Sequence, residues 1–98
     1  MNRYNLSCRY DSRKSFYGKA VVVEYDDISC RRYELYSYDT LVAMVTYDKT
    51  LDVIKYKYLG QFSCTTTRHQ KEFFMQHGLL YESDLLELFK KGHLERGW

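Results

Sequence analysis

The chain has 98 residues, 45% hydrophobic and 29% charged, with a formal net charge of +2. That length suits one domain, 1–98, and is too short for two. The small net charge excludes a strong polyelectrolyte, and no apolar run approaches the ~18 residues of a membrane-spanning helix. Eleven Tyr, five Phe and one Trp favour pleated, half-buried surfaces, so sheet is expected before any periodicity is considered.

Asn2 to Tyr10 alternates, with Tyr4, Leu6, Cys8 and Tyr10 on one face and Arg3, Asn5, Ser7 and Arg9 on the other. Period two predicts a first strand with one wet face. Asp11 to Ser15 is polar and reads as a turn. Phe16 to Tyr25 predicts a central strand, because Val21, Val22 and Val23 are apolar on both faces; Gly18 within it marks a bulge or a close approach. After a loop at Asp26 and Asp27, Arg31 to Tyr38 predicts a third strand, with Tyr33 and Leu35 opposite Arg32, Glu34 and Tyr36. Asp39-Thr40 turns into a fourth over Leu41 to Tyr47, and Asp48-Lys49-Thr50 into a fifth over Leu51 to Tyr58. Turn signals about ten residues apart argue for an antiparallel meander.

The period then lengthens. A helix is predicted over 65–77, with Thr67 and Gln70 as a capping box, or with Ser63 or a neighbouring threonine as the cap, and Gly78 as its stop. His69, Phe73, Phe74 and His77 gather on one side of it. A second helix is predicted over 83–91, capped by Ser83, with Asp84 and Glu87 early, Lys90 and Lys91 late, and Gly92 closing it. His93 to Trp98 is expected to be loose unless Trp98 docks. The fold class is therefore α+β: a five-stranded antiparallel meander over about 2–59, followed by two short C-terminal helices packed on one face.

Residues capable of chemistry are scattered. Cys8, Cys30 and Cys64 are widely spaced and read as free, buried thiols of a reducing cytosol, which places the protein in the cytoplasm. Cys64, His69 and His77 lack the paired spacings of a zinc site. No Ser, Cys or Thr sits in a Gly-flanked elbow, and the five glycines form no phosphate loop. No enzyme, cofactor or metal is expected.

Binding is a better match. The first twenty residues carry Arg3, Arg9, Arg13, Lys14 and Lys19 against Asp11 alone, and the first four of these lie on or beside the first strand's wet face. Arg31 and Arg32, with Lys55 and Lys57, can join them; Tyr36 adds an aromatic, and Arg68 and Lys71 project from the helix start. Tyr and Arg on a sheet stack bases and neutralise phosphates, or anchor a protein partner. The same residues also suit a basic edge that resists aggregation, with Tyr lying at the core rim.

Three stretches carry a resemblance: SFYGKAVVV (15–23), YELYSYDTLVAMV (33–45) and TTTRHQKEFFMQHG (65–78). In this order they resemble a family of small proteins of unknown function carried by bacteriophages and mobile elements of bacteria, over about residues 10–80. The resemblance brings no catalytic residue with it. It implies a setting in the host bacterial cytoplasm and inhibition of host defence, as anti-CRISPR proteins do, by direct binding to a Cas effector or its ribonucleoprotein. A small nucleic-acid-binding accessory or regulator is the alternative. The segment after Gly78 is longer than the core that the resemblance covers.

Overall fold

The alternating segments form strands β1 (Asn2–Asn5), β2 (Ala20–Asp26), β3 (Cys30–Ser37), β4 (Thr40–Asp48) and β5 (Val53–Tyr58). Helices α1 (Cys64–Gln76) and α2 (Glu82–Lys91) follow, and β6 (His93–Gly97) ends the described chain. This computed structural model describes residues 1–60 and 63–97. The class is α+β, an antiparallel sheet with two helices, and the sheet's spatial order is β1-β2-β3-β4-β5-β6.

The sheet has six strands rather than five because the segment expected to be loose pairs with β5, from Val53↔Gly97 to Lys57↔His93. Gly92, at φ 84°, turns the chain out of α2, and its carbonyl accepts the Tyr58 N–H at 2.9 Å. His93, Leu94, Glu95 and Arg96 then alternate exposed and half-buried, as an edge strand does. Trp98 lies outside the described residues.

Register sets the two faces. Val22, Leu35, Ala43 and Tyr58 align in one row across four strands. On that same side Tyr56 meets Phe74 of α1, Tyr58 meets Phe89 of α2, and Ser37 bonds His69 of α1. Phe73, Phe74, Leu79, Leu85 and Leu88 join Val22, Leu35 and Val45 in one buried cluster. A bulge after Leu35 leaves Val42 as an extra residue in β4, so Val42 and Ala43 are both buried. The Val42 carbonyl accepts from the Gln70 side chain at 3.0 Å and the Leu59 N–H at 3.2 Å.

The first strand is shorter than its alternation suggests. β1 stops at Asn5, and the backbone N–H groups of Arg9, Tyr10 and Asp11 turn to donate to one oxygen of Glu72, at 3.0, 2.8 and 2.8 Å. Gln76 donates to the other carboxylate oxygen at 2.7 Å and to the Ser7 carbonyl at 2.8 Å. Glu72 itself is 1% exposed. A charged acceptor in α1 thus outcompetes the sheet ladder for these donors, and Tyr10, expected inside, stands exposed.

Other local expectations change for equally local reasons. Phe16 to Lys19 is a turn, closed by Lys19 N–H to the Phe16 carbonyl at 3.0 Å, so β2 begins at Ala20. Ser63 caps α1, accepting the Thr66 N–H at 3.1 Å. In α2 the N-cap position falls on Tyr81, with no side-chain bond, and Ser83 lies inside the first turn. The cysteines are free but not buried: Cys8 and Cys30 are half-exposed and Cys64 is exposed at the start of α1.

Removing the Glu72 carboxylate is expected to cost stability, because three backbone donors lose their acceptor at once. Glu72→Ala should lower the unfolding free energy by about 3 kcal/mol, and Glu72→Gln, which keeps an acceptor, by about 1 kcal/mol. Urea midpoints at unchanged slope measure this; an Ala variant as stable as the Gln variant would show that the carboxylate is not the latch.

Candidate binding surface

The residues facing away from α1 and α2 form two rows across the sheet. One runs Arg3, Val23, Glu34, Met44, Lys57 and His93; the other runs Tyr25, Arg32, Thr46, Lys55 and Glu95. Val21 and Tyr36 pair at one end of this face. Val23 and Glu34 are only 5% and 8% exposed there, although the helix side chains meet the opposite face. Their cover is made by neighbouring side chains. The Tyr36 hydroxyl donates to Glu34 at 3.0 Å, Arg32 Nε lies 3.3 Å from the other Glu34 oxygen, and the Arg32 guanidinium sits 4.6 Å over the Tyr25 ring. The bond to Glu34 raises the Tyr36 pKa, so the hydroxyl keeps its proton as a donor.

Around this centre stand Arg3, Lys55, Lys57 and His93, all exposed. A shallow groove of about 420 Å³ runs along β4, β5 and β6, lined by Met44, Thr46, Lys55, Lys57, His93 and Glu95. The face therefore offers dispersed cations, an aromatic–guanidinium stack and a concave strip, an arrangement suited to an anionic, extended ligand.

The nine residues singled out from sequence do not share one patch. Arg3, Arg32 and Tyr36 lie on this outer face. Arg31 falls on the helix side, in register with Tyr47, and pairs with Asp26 at 3.2 Å. Arg9, Arg13 and Lys14 lie in the segment between β1 and β2 that Glu72 draws away from the sheet. Arg68 is committed to Asp11, with Nε and Nη2 at 3.0 and 2.7 Å from its carboxylate, and Lys71 lies 3.8 Å from Glu82. Tyr25 and His93 were missed. Tyr25 enters the sequence reading only as the end of a strand, and its stack with Arg32 depends on a cross-strand register.

The family of unknown function DUF8033 matches residues 4–84. The chain belongs to DUF8033. No curated protein and no solved structure matches it. The DUF8033 span contains β2 to β5, the Glu72 latch and the outer-face residues Tyr25, Arg32, Tyr36, Lys55 and Lys57; β6 lies beyond it.

Within this DUF8033 chain the α1 segment RHQKE is a set of internal ties. The Ser37 hydroxyl lies 2.8 Å from His69 Nδ1 and 3.0 Å from the Thr66 hydroxyl. A Ser–His contact is the first half of a nucleophile pair, yet Ser37 is 2% and His69 1% exposed, so no substrate reaches them. Gln70 ties the Val42 and Gly60 carbonyls at 3.0 and 3.1 Å. Among the described residues no three His, Cys, Asp or Glu side chains could hold a metal ion, and no helix is long and apolar enough to cross a membrane.

Electrostatics follow burial. His77, between a tilted Tyr33 ring at 4.4 Å and an edge-on Phe73 ring at 4.9 Å, is pushed down to about 4 by desolvation. Burial, then the Arg13 cation, lowers His69 as well. The Arg68 hydrogen bond holds the Asp11 carboxyl at about 2. For the histidines the unfolded chain takes its proton near 6.5 while the native one resists, so stability is full above that pH and falls on acidification. The loss should reach about 2 kcal/mol from His77 between pH 7 and 4. Asp11 adds a further loss below about pH 4, toward 2, where its native carboxylate finally protonates. Urea midpoints across pH 7 to 4 should decline for the wild type and less steeply for His77→Phe, which keeps only the His69 contribution; equal slopes for the two would remove His77 as a cause.

Proposed function

We propose that this chain is a non-catalytic binding protein that blocks a bacterial host-defence complex, a CRISPR–Cas effector ribonucleoprotein, by docking its outer sheet face on it. The observation that carries this reading is the face itself. With both helices packed on one side, the opposite side keeps Arg3, Arg32, Lys55 and Lys57 exposed or half-exposed around the Tyr25–Arg32 stack. Arg and Tyr are the residues that most often anchor interfaces, and cations spread over a sheet meet phosphate or acidic side chains. The resemblance to proteins of phages and mobile elements supplies the setting, the host bacterial cytoplasm. The buried Ser37–His69 pair and the internal ties of α1 leave the outer face as the surface available for work.

A mildly basic blocker does not imitate DNA. It occupies an acidic protein surface or the RNA of the complex, where charge complementarity speeds encounter and fixes orientation. The test is protection of a phage or plasmid in cells with active CRISPR–Cas immunity. The wild-type chain should protect, and the combined R3E/R32E/K55E/K57E variant should lose at least about tenfold of that protection at unchanged folding. Absence of protection by the wild type across CRISPR–Cas types, or full protection by the charge-reversed variant, would sink the reading.

A further inference from the structure

The cations of the outer face are not equivalent. Arg3, Lys55 and Lys57 are exposed side chains on β1 and β5, whereas Arg32 lies mid-sheet on β3, between Tyr25 of β2 and Thr46 of β4. Its guanidinium is held from two directions. The Tyr25 ring centre lies 4.6 Å from it, and its buried Nε is 3.3 Å from a Glu34 oxygen. Glu34 is fixed in turn by the Tyr36 hydroxyl at 3.0 Å. The Arg32 side chain nevertheless stays 42% exposed, and neither Nη has an acceptor among the described residues. With Nε committed, the donors left to a partner are those of the two Nη groups, a planar fork whose rotation the ring restrains.

The surroundings of this fork indicate the class of partner. Tyr25, Arg32, Tyr36 and Met44 occupy β2, β3 and β4, with Arg3, Lys55, Lys57 and Glu95 toward the sheet edges. Aromatic residues, Met and Arg at the centre, with Lys and Glu at the rim, are the composition of a protein-binding patch. Charge points the same way. Glu34 offsets Arg32, and Glu95 stands opposite Lys55 in the β5–β6 register, so the face lacks the unbroken cationic track that a phosphate backbone rewards.

We infer that Arg32 anchors the docking face by taking an Asp or Glu carboxylate of a protein partner through its two Nη groups, with Glu34 and Tyr36 as positioning residues. The inference rests on the docking reading above and narrows it from an anionic surface of either kind to an acidic protein surface. A fork already laid over a ring gives up little side-chain freedom on binding, and it matches a planar carboxylate with two parallel bonds. Lys55 and Lys57 then steer the approach and add little to the final contact.

Solution NMR of the full chain tests this with two probes of matched charge, hexaglutamate and hexauridylate, titrated at low and physiological salt. Hexaglutamate should move the Arg32 side-chain resonances and bind more tightly than hexauridylate. Arg32→Lys, which keeps the charge and loses the fork, should weaken hexaglutamate binding about tenfold, and Lys55→Gln only about twofold. Glu34→Gln keeps an acceptor for Tyr36 but releases Arg32, and should weaken binding about fivefold. If Glu34→Gln fails to fold, Tyr36→Phe, which loosens the same carboxylate, takes its place. Tighter binding of hexauridylate, Arg32 resonances that neither probe moves, or Arg32→Lys binding like the wild type would each overturn the anchor. Protection of a phage or plasmid separates the two readings. If R32K and E34Q protect like the wild type while R3E/R32E/K55E/K57E does not, the anchor falls and the docking face stands. If hexaglutamate seats on Arg32 but the wild type protects nothing, the anchor stands and the host-defence reading fails.

Discussion

One buried carboxylate decides where the first strand ends and how the first helix is held. Glu72 gathers three consecutive backbone N–H groups from the segment after β1 and a fourth donor from Gln76. A desolvated anion needs such a set of donors, and a backbone leaving a sheet needs acceptors for the N–H groups it no longer pairs. Each requirement satisfies the other. Arg68 and Asp11 repeat the tie one turn earlier along α1, so the helix and the loop are fastened at two points.

This arrangement explains why the most recognisable helical segment is also the least available for binding. His69, Gln70 and Glu72 are each almost fully buried, and each holds a different piece of chain: β3, the β4 bulge, and the segment after β1. A polar side chain in such a place is kept because leaving its partners unpaired is expensive. These ties fasten α1 to one side of the sheet, while the exposed cations Arg3, Lys55 and Lys57 stand on the other.

Much of the architecture was legible because it is local. The apolar run Val21 to Val23, the polar turns near Asp39 and Asp48, and Gly78 and Gly92 each act within a few residues, so β3, β4 and both helices fall within a residue or so of where those signals put them, while β2 and β5 keep their ends and start later than expected. What was illegible depends on partners far along the chain. The alternation from Asn2 to Tyr10 is real, but Glu72 lies more than sixty residues away and takes over its second half. His93 to Gly97 has a single large apolar residue, Leu94, and becomes a strand only because β5 offers an open edge. The basic residues were readable as residues and not as a surface: once β1 stops at Asn5, Arg9, Arg13 and Lys14 leave the face that keeps Arg3. The left-handed backbone at Tyr17-Gly18 and Tyr38-Asp39 was hidden too, since Tyr-Gly and Tyr-Asp are not the pairs that announce such a bend.

The order of strands in space is the order in the chain, and that bears on how the protein reaches this structure. From β1 to β5 every pairing joins neighbours in sequence, so ladder formation from β2 through β5 proceeds by hairpin closure with little loop entropy to overcome. The last pairing differs. β6 reaches β5 only across both helices, and the Glu72 latch spans a still longer stretch of chain. The β6 edge and the Glu72 latch therefore close the longest loops of the chain, whereas the central hairpins that carry Tyr25, Arg32 and Tyr36 close the shortest.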